Sequence, residues 1–376
     1  MIYMDNNATT KIDSKVYMKQ CEVLKKNYGN ASSIYPIGVE AKKIVNDSRQ
    51  KVANFINADL KAGDRVIFTS CATESNNAVF HSVLDQRAKG KHIIISEVEH
   101  PTVLKPAAYY EEAGCDVEHI QVDNEGFLHE EQIINSLNDD TVLVSIMMVN
   151  SETGVINNIE HIVKKIREKN SNVLIHTDAV QAAGKIKIDA QLLDVDFLSL
   201  SGHKFHAPKG IGALYIKRGV SFKPFFLGGH QEGEYRAGTE NVASIAAIGE
   251  AAYIAQQDLE NGMMAKVETL RNDMEQKLKQ EFPNSIIYGV NNLRVGNTTN
   301  IGFKAVNGSK LVLQLAQNGI CVSSGTACNS INTEASRVLR AMHALEDYIW
   351  SIRISLSKEN TSNDIQTLID TLKNII

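Results

Sequence analysis

Six short runs of apolar, largely β-branched residues recur between positions 65 and 216, and they limit the fold more than any other feature of the chain. They span 65–70, 92–96, 142–149, 173–177, 196–199 and 213–216. Most are continuous rather than alternating, which suits strands covered on both faces. Stretches with helical spacing separate several of them; at 159–169, Ile162, Val163 and Ile166 share one face. Such alternation implies βαβ units, an α/β class and a mainly parallel central sheet. A sheet of that kind carries its chemistry at the carboxyl ends of its strands.

Beyond position 243 the texture changes. One long helical reach, 246–274, is interrupted near Asn261-Gly262, and strands are then predicted at 300–304, 320–323 and 352–356. Helices at 310–318 and 363–374 mix with them, an α+β pattern that predicts a smaller second domain. The expected partition is a large domain over 14–255 and a small one over 1–13 and 256–376. Only six prolines and no Gly/Ser linker occur in 376 residues, so the two parts are expected to pack together.

Composition narrows the function. With 39 basic against 44 acidic residues the net charge is −5, which argues against a dedicated nucleic-acid surface. The longest apolar run falls short of the roughly 20 residues of a membrane span, and no signal segment precedes Asp5. A soluble, cytoplasmic protein with no membrane and no direct nucleic-acid partner is expected. Five cysteines, an odd number without C-x-x-C spacing, make neither a disulfide framework nor a zinc ribbon, and no metal site is expected. Cys71, Cys115 and Cys321 read as buried, inert thiols. Cys328, within Val322-Ser323-Ser324-Gly325-Thr326-Ala327-Cys328-Asn329-Ser330, stands among small polar residues, where a thiol is available for nucleophilic work.

The stretch Ser199-Leu200-Ser201-Gly202-His203-Lys204 delivers a lysine just past a strand. Alone it reads as a loop lysine in solvent. The upstream run, however, delivers Asp178 at its own end, followed by Ala179-Val180-Gln181. A strand-end aspartate and a strand-end lysine 26 residues on are what a pyridoxal phosphate site requires: an amine for the Schiff base and a carboxylate for the pyridine nitrogen. Cys71-Ala72-Thr73-Glu74-Ser75-Asn76-Asn77 opens a helix after another strand, an anion site by its backbone amides and the Thr73 hydroxyl, or a plain cap with Thr73 as N-cap. Ser201 and His203 are further phosphate donors. His100, in Glu97-Val98-Glu99-His100-Pro101, reaches the same sheet edge as an aromatic lid.

Six motifs occur in order: Asp5-Asn6-Asn7-Ala8-Thr9-Thr10, Tyr28-Gly29-Asn30-Ala31-Ser32-Ser33, Ala72-Thr73-Glu74-Ser75-Asn76-Asn77, Ser201-Gly202-His203-Lys204, Arg236-Ala237-Gly238-Thr239 and Ser324-Gly325-Thr326-Ala327-Cys328. Together, over nearly the whole chain, they resemble the NifS/IscS-type cysteine desulfurases, of the class V aminotransferase group with the type I pyridoxal phosphate fold. The cysteine segment is similar to that of the long-loop members. The resemblance implies that Lys204 forms the Schiff base and moves protons at the substrate α-carbon. It further implies that Asp178 pairs with the ring nitrogen, Gln181 meets the ring hydroxyl, and Ala72, Thr73, Ser201 and His203 hold the phosphate of pyridoxal 5'-phosphate. Thr239 is implied to reach the neighbouring subunit of a homodimer, and His100 to stack on the ring. Arg353 and Asn30 are implied to bind the substrate, and Cys328 to take its sulfur as a persulfide. L-Cysteine is thus the expected substrate, alanine the co-product, and an iron–sulfur scaffold or tRNA-thiolation enzyme the acceptor.

Two positions depart from the family: Ser151 replaces a usual asparagine, and Tyr35 stands where histidine is common. For the first, either Ser151 acts through water or Asn150 compensates. The chain ends at Ile376, which leaves little for the docking tail of longer members. The Gly/Ser/Thr/Asn content of 324–337 predicts a gating loop. Other readings are a selenocysteine lyase or aminotransferase of the same fold, a cysteine hydrolase using Cys328 and a histidine, and a non-catalytic sulfur carrier. A transaminase has no need of Cys328, and a hydrolase leaves Asp178 and Lys204 without purpose.

Overall fold

The computed structural model describes residues 1–85, 89–324 and 335–376. Cys328 and most of the expected gating segment therefore lie outside the described residues. The chain begins β1 (Ile2–Tyr3), α1 (Ser14–Lys26), α2 (Pro36–Phe55), β2 (Arg65–Thr69), α3 (Ala72–Leu84), β3 (His92–Ser96), α4 (Pro101–Glu112) and β4 (Asp116–Ile120). It continues α5 (Glu130–Ser136), β5 (Thr141–Ser145), α6 (Ile159–Lys169), β6 (Leu174–Asp178), α7 (Ala190–Leu193), β7 (Phe197–Ser201) and β8 (Gly212–Ile216). Then come α8 (Val242–Glu260), α9 (Met263–Glu281), β9 (Ile286–Ile287), β10 (Thr298–Gly302) and α10 (Gly308–Gln317). Last are β11 (Ile320–Cys321), β12 (Ser323–Ser324), α11 (Arg337–Ala341), β13 (Ile352–Ser355) and α12 (Ser362–Ile375).

Seven strands form the central sheet in the order β2-β8-β7-β6-β5-β3-β4. All run parallel except β8, which is antiparallel to both neighbours. The expected α/β class with a mainly parallel sheet is observed. All five residues of β3, β7 and β8 are buried, because helices cover both faces. Val66, Ile94, Val144 and Leu198 join the apolar cluster of α1, α2, α6 and α8. Their neighbours Ile67, Ile93, Leu143 and Phe197 face the opposite way, into the cluster of α3 and α4. Each such side chain contributes about 1.5–3 kcal/mol by leaving water.

Helix α2 lies against α8 with little space between them. A Cβ on Gly249 of α8 would stand 2.7 Å from the Ser48 Cβ of α2, so only glycine permits this approach. The second sheet, β12-β13-β10-β9, is antiparallel. It has its own apolar cluster with α9, α10 and α12. Strand β1 pairs with β11 and brings Met4 into that cluster.

Several expectations need correction. Cys115 is buried, but Cys71 and Cys321 are only half-buried, and Cys21 is exposed. Thr73 is not an N-cap: the residue before α3 is Cys71, in extended backbone, and no side chain caps the helix. The single reach over 246–274 is two helices, separated where Gly262 takes a left-handed φ of 69°.

Candidate active site

Strand ends assemble the site. β6 ends on Asp178 and β7 on Ser201, and Gly202–Lys204 follows as one turn of 3-10 helix. Gly212 of β8 pairs with both Ser201 and Thr69, the last residue of β2. A Cβ there would meet the Cys71 backbone at 2.9 Å, so glycine lets the turn into α3 fold across the sheet edge toward Ser201. The N–H groups of Ala72, Thr73 and Glu74 then open α3 without a side-chain cap.

Asp178 is buried, yet no ion pair reaches it among the described residues. Its Oδ1 accepts the Val180 N–H at 3.0 Å and its Oδ2 accepts Asn76 Nδ2 at 2.9 Å. The same Asn76 amide donates to Thr102 Oγ1 at 2.9 Å, and that hydroxyl lies 2.9 Å from His100 Nδ1. The Thr102 N–H also donates to His100 Nδ1, which leaves Nε2 as the protonated nitrogen of the neutral ring. Burial pushes the His100 pKa down; Asp178 opposes this, while Lys204 and Arg337 add to it. Beneath Asp178, His176 bridges Ser145 Oγ at 2.8 Å and Ser199 Oγ at 3.0 Å, tying three strands. Burial holds its pKa at about 4.

Lys204 Nζ donates to the carbonyls of Asn7 and Ala8 at 2.6 and 2.9 Å. Gln181 Nε2 reaches the same Asn7 carbonyl at 3.0 Å. His203 Nδ1 lies 3.1 Å from Thr9 Oγ1, and burial, with Lys204, Lys209 and Lys185 beside it, pushes its pKa to about 4. The segment around Asn7 also leads to Arg353: Asn7 Nδ2 and Arg353 both donate to the Ser151 carbonyl, at 3.3 and 3.1 Å. Arg353 is buried and pairs with Asp5 at 2.9 Å, while its Nε has no hydrogen-bond partner among the described residues. Asp5 in turn accepts Ser323 Oγ at 2.9 Å, just before the cysteine segment.

Lys204, Asp178, Gln181, His100, His203 and Arg353 are thus joined through Asn7 and Asn76 or through mutual electrostatics. Ser201 is buried at the end of β7, and Thr73 is exposed on the first turn of α3. Thr239 and Asn30 are exposed on loops before α8 and α2, and Asn30 accepts the Ser32 N–H at 2.9 Å. Arg236 anchors the Thr239 loop by its ion pair with Glu74 of α3 at 2.9 Å. Burial raises the Glu74 pKa, but Arg236 and Ser70 more than offset it and hold the carboxyl below its ordinary range. At the departing position, Ser151 makes its contacts through a backbone carbonyl, which any residue supplies. Asn150 is committed elsewhere: its Oδ1 accepts from the backbone of Glu152 and Thr153, and its Nδ2 donates to Val98. Sequence reasoning gave no role to Asn76, Asn7, Asp5 and Lys185. The first three lie in motifs it singled out; Lys185 carried no signal.

The arrangement fits pyridoxal phosphate. A buried carboxylate with no ion pair among the described residues suits a protonated ring nitrogen. The uncapped start of α3 beside Ser201 and His203 suits a phosphate. In comparison with known proteins, the family model of the class V aminotransferases matches residues 2–368. The chain belongs to that family. It is 42% identical over its full length to cysteine desulfurase 2 of Trichormus variabilis, of which it covers 93%. Identity to cysteine desulfurase IscS of Methanosarcina thermophila is 39%, covering all of this chain and 92% of that one. Among solved structures, a NifS-like protein superposes with a TM-score of 0.92 at 34% identity, covering 100% of this chain and 98% of that one. SspA in complex with cysteine gives 0.81 at 28% identity, with 96% and 100% covered.

Proposed function

We propose that the chain is a pyridoxal phosphate-dependent cysteine desulfurase that converts L-cysteine to L-alanine and keeps the sulfur as a persulfide on Cys328. The observation that carries this reading is the buried Asp178, without an ion pair among the described residues, at the end of β6, with Lys204 just past the end of the adjacent β7. The full-length similarity to proteins named cysteine desulfurase supports it. Pyridoxal phosphate, when bound, supplies the electron sink at the substrate α-carbon.

The chain's own residues do the rest. Asp178, oriented by Asn76 and Val180, holds the ring nitrogen; Gln181 meets the ring hydroxyl; Ala72, Thr73, Ser201 and His203 hold the phosphate. Lys204 binds the cofactor and carries a proton to and from the substrate α-carbon. His100, neutral with Nε2 protonated, covers the ring. Arg353 clamps the substrate carboxylate with the Nε–H that has no partner among the described residues, and Asn30 completes the substrate site. Cys328 takes the sulfur: its new S–S bond forms as the substrate C–S bond breaks, and the thiol carbon takes up a proton to become the alanine methyl group. The persulfide then serves an acceptor protein, an iron–sulfur scaffold or a tRNA-thiolation enzyme.

Two working copies form the enzyme, with the exposed Thr239 serving the neighbouring site. The chain divides into a large domain and a small one, supported by the separate apolar cluster of the second sheet. The expected bound at 255 falls inside α8, and the joint is set instead at the Asn261-Gly262 turn.

The test is incubation of purified protein with L-cysteine and a thiol reductant, measuring sulfide and alanine in equal amounts. Cys328→Ala should abolish sulfide release and keep the bound cofactor's colour. Lys204→Ala should lose the visible band of the lysine-bound cofactor. Full sulfide release by Cys328→Ala would overturn the persulfide assignment.

A further inference from the structure

Lys185 stands on the turn after β6, 7% exposed, and no carboxylate lies within ion-pair distance of it among the described residues. An unpaired cation in such a place is costly, and it persists only where its contacts serve some other purpose. Burial, with the charges of Lys204 and Arg353 nearby, pushes the Lys185 pKa well below its ordinary value. Its Nζ donates to Gln181 Oε1 at 2.6 Å and to the Gln181 carbonyl at 3.1 Å.

The two ends of a glutamine amide are nearly equal in size and opposite in hydrogen-bonding sense, so the group turns over unless a neighbour distinguishes them. As an ammonium, Lys185 offers donors only; as the neutral amine that burial favours, it has two hydrogens, which Gln181 Oε1 and the Gln181 carbonyl both take. Turning the Gln181 amide over would set its NH2 against those hydrogens, or make the amine give up one of these bonds, and would set its oxygen against the Asn7 carbonyl, acceptor on acceptor. Both contacts therefore select one orientation, with Nε2 on the side of Asn7 and Lys204. Of the two, the Asn7 carbonyl is shared with Lys204 Nζ, whereas Lys185 is dedicated to Gln181. Lys185 also walls a cavity together with Lys204, His206, Asp258 and Lys358. With its amine removed, water from that cavity, donor and acceptor alike, would face Oε1.

We propose that Lys185 is a positioning residue that locks the Gln181 amide so that its N–H end, never its oxygen, faces the ring hydroxyl of pyridoxal phosphate. This rests on the reading that sets Gln181 at that hydroxyl. The experiment compares wild type, Lys185→Met, Gln181→Leu and the double variant, each stripped of cofactor and titrated with pyridoxal 5'-phosphate. Binding and the position of the visible band are both recorded. Lys185→Met and Gln181→Leu should each weaken binding about tenfold, the loss expected for one hydrogen bond, with the same displacement of the band. The double variant should be no worse than Gln181→Leu, because both changes remove one interaction.

Wild-type binding by Lys185→Met alongside weakened Gln181→Leu overturns the role of Lys185 and leaves that of Gln181 standing. Losses that multiply in the double variant also overturn it. Wild-type binding by Gln181→Leu overturns the placement of Gln181, and the inference with it. The melting temperature of cofactor-free Lys185→Met should equal or exceed that of wild type, since a buried amine is removed. Lys185→Leu is carried in parallel in case the methionine variant does not fold.

Discussion

Glu99, the residue before His100, is fully buried with only half of its carboxylate satisfied. Oε1 accepts the Ser96 hydroxyl and the Met147 N–H, both at 2.7 Å, while Oε2 has no hydrogen-bond partner among the described residues. Burial, with Asp178 nearby, pushes its pKa to about 8 against the pull of those hydrogen bonds and of Arg337. In the unfolded chain the same group titrates near 4.3. Between these values the folded state holds a proton that the unfolded state has lost. The contribution of Glu99 is thus fully present below the unfolded pKa and disappears as pH rises through the folded one. Glu99→Gln mimics the protonated form at every pH. Its stability relative to wild type should therefore improve with rising pH, by on the order of 2–3 kcal/mol from about pH 5.5 to about pH 8. Urea unfolding at the two pH values measures this, and a constant difference between the proteins would contradict it.

At the scale of elements, the contact between α2 and α8 decides how the Thr239 loop is carried, since α8 begins three residues after Thr239. Gly249 sits where that contact is tightest. Gly249→Val should lower stability by about 1–3 kcal/mol, the usual cost of overpacking, seen as a lower denaturant midpoint at unchanged slope. An unchanged midpoint would mean the helices separate freely. Much of this scaffold was legible. The continuous run at 92–96 is a strand over those same residues, because burial on both faces leaves an unbroken apolar signal. The strand β4 went unread for the converse reason: at the sheet edge, Asp116, Glu118 and His119 face outward and break the pattern. The run read as 142–149 leaves the sheet after Ser145, although Ile146 and Met148 still donate to the carbonyls of His176 and Asp178. In the site, Asp178 and Lys204 were legible because strand-end position has a sequence signature. The carbonyls that hold Lys204 have none, since every residue carries one. Nor does Lys185, whose burial depends on contacts distant in sequence.

At the scale of the whole molecule, the outer surface of residues 17–39 stands apart. Tyr17, Met18 and Leu24 of α1, Tyr28, Ile34 and Tyr35 of the following loop, and Ile37 and Val39 at the start of α2 are all exposed, Ile34 to 96%. A chain that works alone rarely leaves so many large apolar side chains in one short stretch uncovered. The second copy proposed above suits such a patch: a two-fold axis lets one self-complementary surface cover itself. Asn30 lies within this stretch, and Thr239 is exposed as well, as a residue serving a neighbouring site must be. Two carboxylates placed in the patch would be stripped of water on association. Ile34→Asp combined with Val39→Asp should therefore sediment as a monomer at micromolar concentration, where the wild type sediments as a dimer. Both positions are already exposed, so the fold of each copy should melt as a cooperative unit in the variant. The monomer should also bind pyridoxal phosphate about tenfold more weakly, as expected for one lost hydrogen bond to the phosphate. Thr239→Ala should reproduce that loss without dissociating the dimer. A monomeric wild type, or a double variant that remains dimeric, would remove this surface from consideration. A dimeric Thr239→Ala with undiminished affinity would show instead that each copy holds its cofactor alone.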